Sequence, residues 1–65
     1  MRNNLKTARL EKNLTHNEMA DIIGLVRTSY TNIEIGVKNP SERVILKIRE
    51  ILGNDQEDLF DIEKL

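Results

Sequence analysis

Residues 14–36, LTHNEMADIIGLVRTSYTNIEIG, hold a complete helix start and two helix stops in one short stretch. Thr15 is followed three residues later by Glu18, the spacing of a capping box. In that motif each side chain satisfies the other residue's free backbone N–H. Leu14 before the cap and Met19 after it are placed for a hydrophobic staple across the helix start. Gly24 stops the first helix, because glycine takes positive φ without strain, and Gly36 stops the second. The chain is thereby confined to two short helices joined by a tight turn at Gly24. Helices of this length are marginal alone, so they must be held by packing.

The second helix of the pair, beginning near Val26 or Arg27, has two unlike faces. Tyr30 and Ile33 face a core, with Leu25 packed in the turn. Positions four apart share a helix face, so Arg27 lies above Thr31 and Thr28 above Asn32. These four polar residues point away from Tyr30 and Ile33. A helix pair that presents such a face is suited to entering a groove, most often the major groove of DNA.

The rest of the chain also reads as helix. Residues from about 3 to 12 form a first helix with Leu5 and Ala8 on one face and Arg9 beside them; Asn13 suits a left-handed closing turn. Met19, Ala20, Ile22 and Ile23 are expected on the buried side of the second helix. After a loop of Gly36, Val37, Lys38, Asn39 and Pro40, Ser41 caps a helix running to about Leu52, with Val44, Ile45, Ile48, Ile51 and Leu52 as an apolar stripe. Gly53 ends it, and Asn54 or Asp55 is expected to cap a short fifth helix holding Leu59 and Phe60. The expected fold class is therefore all-α, five helices in one domain over residues 1–65.

Charge needs to be read by region. The net charge is −1. From residue 55 onward five acidic side chains stand against Lys64, a balance of −4, so the remainder carries +3. The acidity belongs to the segment 55–65 and the body is mildly basic, which turns the body rather than the tail toward phosphates. Candidate phosphate donors are His16 and Asn17 at a helix N-terminus, Lys38 and Asn39 in the loop, and Arg43 just beyond it.

Other function classes find little support. There is no cysteine and one histidine, too few for a metal site, and no cofactor is expected. No glycine-rich phosphate loop is present, and Ser29 and Ser41 have no base at plausible spacing, so an enzyme is not expected. No apolar run approaches the roughly 20 residues of a membrane span and no apolar leader is visible, so a cytoplasmic location without membrane contact is expected. No small-molecule ligand is evident.

The ordered set Leu5, Arg9, Leu14-Thr15-His16, Met19-Ala20, Gly24-Leu25, Ile33-Glu34, Gly36, Asn39-Pro40-Ser41, Ile48, Leu52 and Asp58-Leu59-Phe60 resembles the phage-repressor-like (XRE, Cro/cI-type) helix-turn-helix DNA-binding domains. The resemblance implies a compact lambda-repressor-like fold with its helix-turn-helix at 15–35. It implies a largely buried salt bridge between Arg9 and Glu34. It also implies base contacts from Arg27, Thr28 and Asn32, with Thr31 close by. In chemical terms Arg27 suits guanine, Asn32 adenine, and Thr28 a thymine methyl or a base edge. His16 departs from the glutamine common at its position. Val26 stands where the family usually has a Ser or Thr cap, a loss of about 1 kcal/mol. Tyr30 replaces an aliphatic residue, and its hydroxyl is expected to reach the surface.

The function expected is a sequence-specific transcriptional regulator of double-stranded DNA, a repressor acting as a homodimer on a palindromic operator. Leu59, Phe60, Ile62 and Leu65, with the outer side of the Ser41-capped helix, are the expected dimer surface. The alternative is a protein-interaction module of the same fold, antitoxin-like or an anti-repressor target, with weak or no DNA binding.

Overall fold

The cap and stop signals set the helix limits. The computed structural model describes residues 1–63 and has four helices among them: α1 (Asn3–Glu11), α2 (His16–Ile23), α3 (Arg27–Ile35) and α4 (Glu42–Leu52). At the start of α2 the Glu18 N–H donates to Thr15 Oγ1 at 3.1 Å, and the Thr15 N–H donates to Glu18 Oε1 at 2.9 Å. The capping box is complete. Ser41 Oγ accepts from the Val44 N–H at 3.3 Å and opens α4 in the same way. Val26 supplies no side-chain cap to α3. Asn13 closes the turn after α1 at φ 58°.

Gly24 has φ 88° and ends α2, and the N–H groups of Gly24 and Leu25 both donate to the Ala20 carbonyl. This sends the chain directly into α3 and packs the two helices against each other. The buried core joins Leu5 and Ala8 of α1, Met19, Ala20 and Ile23 of α2, Tyr30 and Ile33 of α3, and Val44, Ile48 and Leu52 of α4. Leu14, Leu25, Ile51 and Phe60 pack around its edge. No described helix is long and apolar enough to cross a membrane.

Three expectations are corrected. Residues 57–60 form a turn, not a fifth helix. Their bonds run from the Leu59 N–H to the Gln56 carbonyl and from the Asp61 N–H to the Asp58 carbonyl, three residues back. Helix nucleation fixes several residues for each bond gained, and this acidic stretch is too short to recover that cost. The chain instead anchors Leu59 in the core and returns to the N-terminus, where the Glu63 N–H donates to the Met1 carbonyl at 3.0 Å. Ile22 is 48% exposed rather than buried, because Met19 and Ile23, four apart, already define the inner face of α2. Ile45 is only half-buried, at the margin of the α4 stripe.

A Cβ at Gly24 would meet no atom within 4 Å, so its requirement is conformational and not steric. Gly24→Ala should therefore lower stability by about 1–2 kcal/mol in a denaturant melt, with Gly24→Asn less costly. Equal losses for alanine and asparagine would mean the turn is held by something other than its left-handed backbone.

Candidate nucleic-acid interface

The position of α3 is set from its inner side. Glu34 is 1% exposed. Its Oε2 accepts from Arg9 Nε at 2.9 Å and its Oε1 from Arg9 Nη2 at 3.0 Å, a two-bond fork. The remaining Arg9 nitrogen, Nη1, donates to the Leu14 carbonyl at 2.6 Å. Arg9 thus ties α1 to α3 and to the entry of α2. Burial is the largest influence on the Glu34 pKa and would raise it, but the bonds and charge of Arg9, together with the neighbouring Tyr30 and His16, outweigh it and hold the carboxyl below its ordinary range. The same bonds push the Arg9 guanidinium up.

His16 joins this group. Its Nε2 lies 3.3 Å from Glu34 Oε1 and its Nδ1 lies 3.0 Å from Thr31 Oγ1. Its ring meets Tyr30 edge-on, 5.7 Å between centroids at 65°. With both ring nitrogens occupied inside the fold, His16 leaves the set of candidate phosphate donors. Tyr30 does not reach the surface either. It is fully buried, and its hydroxyl has no hydrogen-bond partner among the described residues. Burial, with the charge of Glu34 nearby, pushes its pKa up. Tyr30 shares the inner face of α3 with Ile33 and Glu34, three and four residues on, and all three are buried.

A second clamp holds the far end of α3, and sequence reading missed it. Arg2 is 4% exposed. Its Nη1 donates to the carbonyls of Ile33 and of Lys38 (3.0 Å), its Nη2 to Asn39 Oδ1 (2.9 Å), and its Nε to the Phe60 carbonyl (2.9 Å). Its own N–H donates to the Glu34 carbonyl at 2.8 Å. A guanidinium among the last carbonyls of a helix also meets the negative end of the helix dipole. Burial lowers the Arg2 pKa. No local signal marks an arginine two residues from the start of a chain as buried, since all its partners lie more than 30 positions away in sequence.

With its inner face committed, α3 turns Arg27 and Thr28 fully outward, and Thr31 and Asn32 partly. A cleft of about 210 Å³ where α3 gives way to α4 brings Lys38, Asn39 and Arg43 together. Asn17 is exposed at the start of α2. The Asn39 carbonyl oxygen is taken by Arg2, which leaves only its amide N–H groups to donate outward.

The expected dimer surface does not survive whole. Leu59 is 0% exposed and belongs to this chain's own core. Phe60 is half-buried under the Arg49 guanidinium, 5.3 Å from the ring centroid. Ile62 is exposed beside Gly36. Leu65 lies outside the described residues.

Two helices joined by a glycine turn, the second locked inward and polar outward, define a helix-turn-helix protein. The chain belongs to the helix-turn-helix domain family, whose match covers residues 3–64. It is 44% identical over 61 residues to the uncharacterized HTH-type transcriptional regulator YqaF of Bacillus subtilis (strain 168), covering 94% of this chain and 80% of that protein. It is 41% identical over 49 residues to YqaE of the same organism, also named as an uncharacterized HTH-type transcriptional regulator. That match covers 75% of this chain and 42% of YqaE, so the chain spans less than half of that relative. The similarly named MJ0272 of Methanocaldococcus jannaschii is 36% identical over 63 residues, 97% of this chain and 96% of that protein. No solved structure matches the chain. All three of these relatives carry the name of HTH-type transcriptional regulators.

Arg9→Met leaves the buried Glu34 without its main partner and should cost about 3–5 kcal/mol in a denaturant melt. The double variant Arg9→Met with Glu34→Leu should be more stable than Arg9→Met alone. The pH dependence follows from the direction of the Glu34 shift. Its folded pKa lies below the ordinary 4.5, so its contribution is complete above that value and is lost as pH falls through the folded pKa. Melts at pH 7, 5, 4 and 3 should show this acid loss in the native sequence and a shallower one in Glu34→Gln. Parallel acid profiles would remove Glu34 as the source.

Proposed function

We propose that this protein is a sequence-specific regulator of transcription that binds double-stranded DNA through α3, acting as a repressor and as a homodimer on a palindromic operator. The observation that carries this reading is the division of labour on α3. Glu34, Ile33 and Tyr30 are buried, and two arginines clamp the inner side and the C-terminal end. Among the described residues the side chains of Arg27, Thr28 and Asn32 make no hydrogen bond within the fold, and Arg27 and Thr28 are exposed. A helix held in this way is preorganised for a major groove, which lowers the ordering cost of binding. Arg27 suits guanine O6 and N7, Asn32 suits adenine, and Thr28 a thymine methyl.

Asn17, Lys38, the Asn39 amide and Arg43 flank α3 and supply the phosphate contacts that fix its register. The body's charge of +3 favours this approach. One such module reads a short half-site, and a two-fold dimer doubles it. Ile62, the open edge of Phe60 and the exposed Leu46 on the outer side of α4 are the proposed contacts between copies.

Exposed Val26 and Val37 at the two ends of α3 favour a second reading, a protein-interaction module. Selection from random duplex DNA separates the two. A regulator enriches a palindromic sequence, and its affinity falls steeply with salt as counterions are released. An interaction module enriches none. On the selected site, Thr28→Ala and Asn32→Ala should each relax one or two positions by about 1–3 kcal/mol. Lys38→Ala and Arg43→Ala should instead weaken all sequences alike and reduce the salt slope by about 1 each. Sedimentation of the complex should give two chains per site; one chain, bound tightly, removes the dimer.

A further inference from the structure

A chain of hydrogen bonds runs from the core to the outer face of α3, and its direction can be worked out from one end. It begins at Glu34, a buried carboxylate that Arg9 keeps ionised and that can only accept. The His16 nitrogen beside it, Nε2, must therefore be the one that carries hydrogen. In the neutral imidazole the other nitrogen, Nδ1, is then a bare acceptor. Thr31 Oγ1 lies 3.0 Å from Nδ1, and two acceptors cannot bond, so the Thr31 hydroxyl donates inward. The edge contact with Tyr30 helps hold the ring, and a ring flip would break both bonds. A threonine hydroxyl has one hydrogen and two lone pairs. With the hydrogen committed to His16, only acceptor capacity remains on the outward, half-exposed side of Thr31.

We infer that His16 is a specificity-determining positioning residue, which makes Thr31 an obligate hydrogen-bond acceptor at a DNA base edge and so selects adenine or cytosine at the base Thr31 faces. The inference rests on the reading of α3 as the helix that enters the major groove. In that groove adenine N6 and cytosine N4 present amino donors, whereas thymine O4 and guanine O6 present acceptors. An ordinary threonine hydroxyl rotates to suit either kind of base and discriminates weakly. One whose hydrogen is already taken meets thymine or guanine as acceptor against acceptor. His16 itself touches no base; it acts through Thr31, from a helix that lies behind the reading helix.

Two measurements test this, one of them without DNA. Nitrogen NMR of the imidazole in the free, neutral-ring protein should show His16 with hydrogen on Nε2 and Nδ1 unprotonated. The opposite tautomer overturns the relay whatever the protein binds. Selection from random duplex DNA is then run with the native sequence, Thr31→Ser, Thr31→Val and His16→Leu. One position should favour adenine or cytosine by about tenfold in the native sequence and in Thr31→Ser, the effect of one hydrogen bond to a base edge. Thr31→Val and His16→Leu should flatten that position while leaving the positions set by Thr28 and Asn32 unchanged. Circular dichroism establishes that His16→Leu is folded; if it is not, Thr31→Val, which alters a half-exposed side chain, carries the test. Retention of the preference in the folded His16→Leu protein, or in Thr31→Val, overturns the inference, as does a native preference for thymine or guanine. Failure of every protein to enrich any sequence overturns the reading of α3 itself, and the inference with it, while the tautomer result still stands separately.

Discussion

The fork between Arg9 and Glu34 is the contact on which the arrangement of the helices depends. A carboxylate in a core is costly, and so is a guanidinium, unless each satisfies the other. Hydrophobic contact alone tolerates sliding and repacking, whereas two parallel N–H···O bonds have one geometry. Arg9 comes from α1 and Glu34 from α3, and Arg9 also holds the Leu14 carbonyl at the entry to α2. Glu34 receives His16 from α2 as well. Three helices therefore meet at one carboxylate, and the rotation of α3 about its own axis is set there.

Arg2 does for the end of α3 what Arg9 does for its middle. It gathers carbonyls from Ile33, Lys38 and Phe60, and so ties together the end of α3, the loop after it and the C-terminal turn. For the proposed interface this ties Lys38 and Asn39 to the helix that carries Arg27, Thr28 and Asn32. Phosphate and base contacts can then be made together. Tyr30 fits the same scheme less easily: its buried hydroxyl has no hydrogen-bond partner among the described residues, which costs stability.

Most of the fold was legible in the sequence because its signals are local. Thr15 and Glu18, Gly24, Gly36, Ser41 and Gly53 act within four residues of themselves, and each does in the structure what its type and spacing indicate. The misreadings come from residues whose surroundings are set by distant parts of the chain. Asp58-Leu59-Phe60 has helical spacing, yet the segment is held by Leu59 in the core and by the return to Met1, and it settles as a turn. Tyr30 has a polar tip that suggests the surface, but α1 and α2 close over it. His16 sits at a helix start, which suggests an anion donor, but Glu34 and Thr31 claim both of its nitrogens.

The sequence by itself determined where α1 to α4 begin and end, which side of α3 is apolar, and which side chains on its other side are left without a structural task. Backbone conformation and helix periodicity follow from neighbours a few positions apart, so these features need no knowledge of the whole fold. Only the tertiary structure decided that Arg2 is buried, that Leu59 belongs inside, and that Thr31 is bonded to His16. Those outcomes depend on groups brought together from 15 to 58 positions apart. Hydrogen-bond direction is set by the partner at the far end, and that partner is chosen by packing.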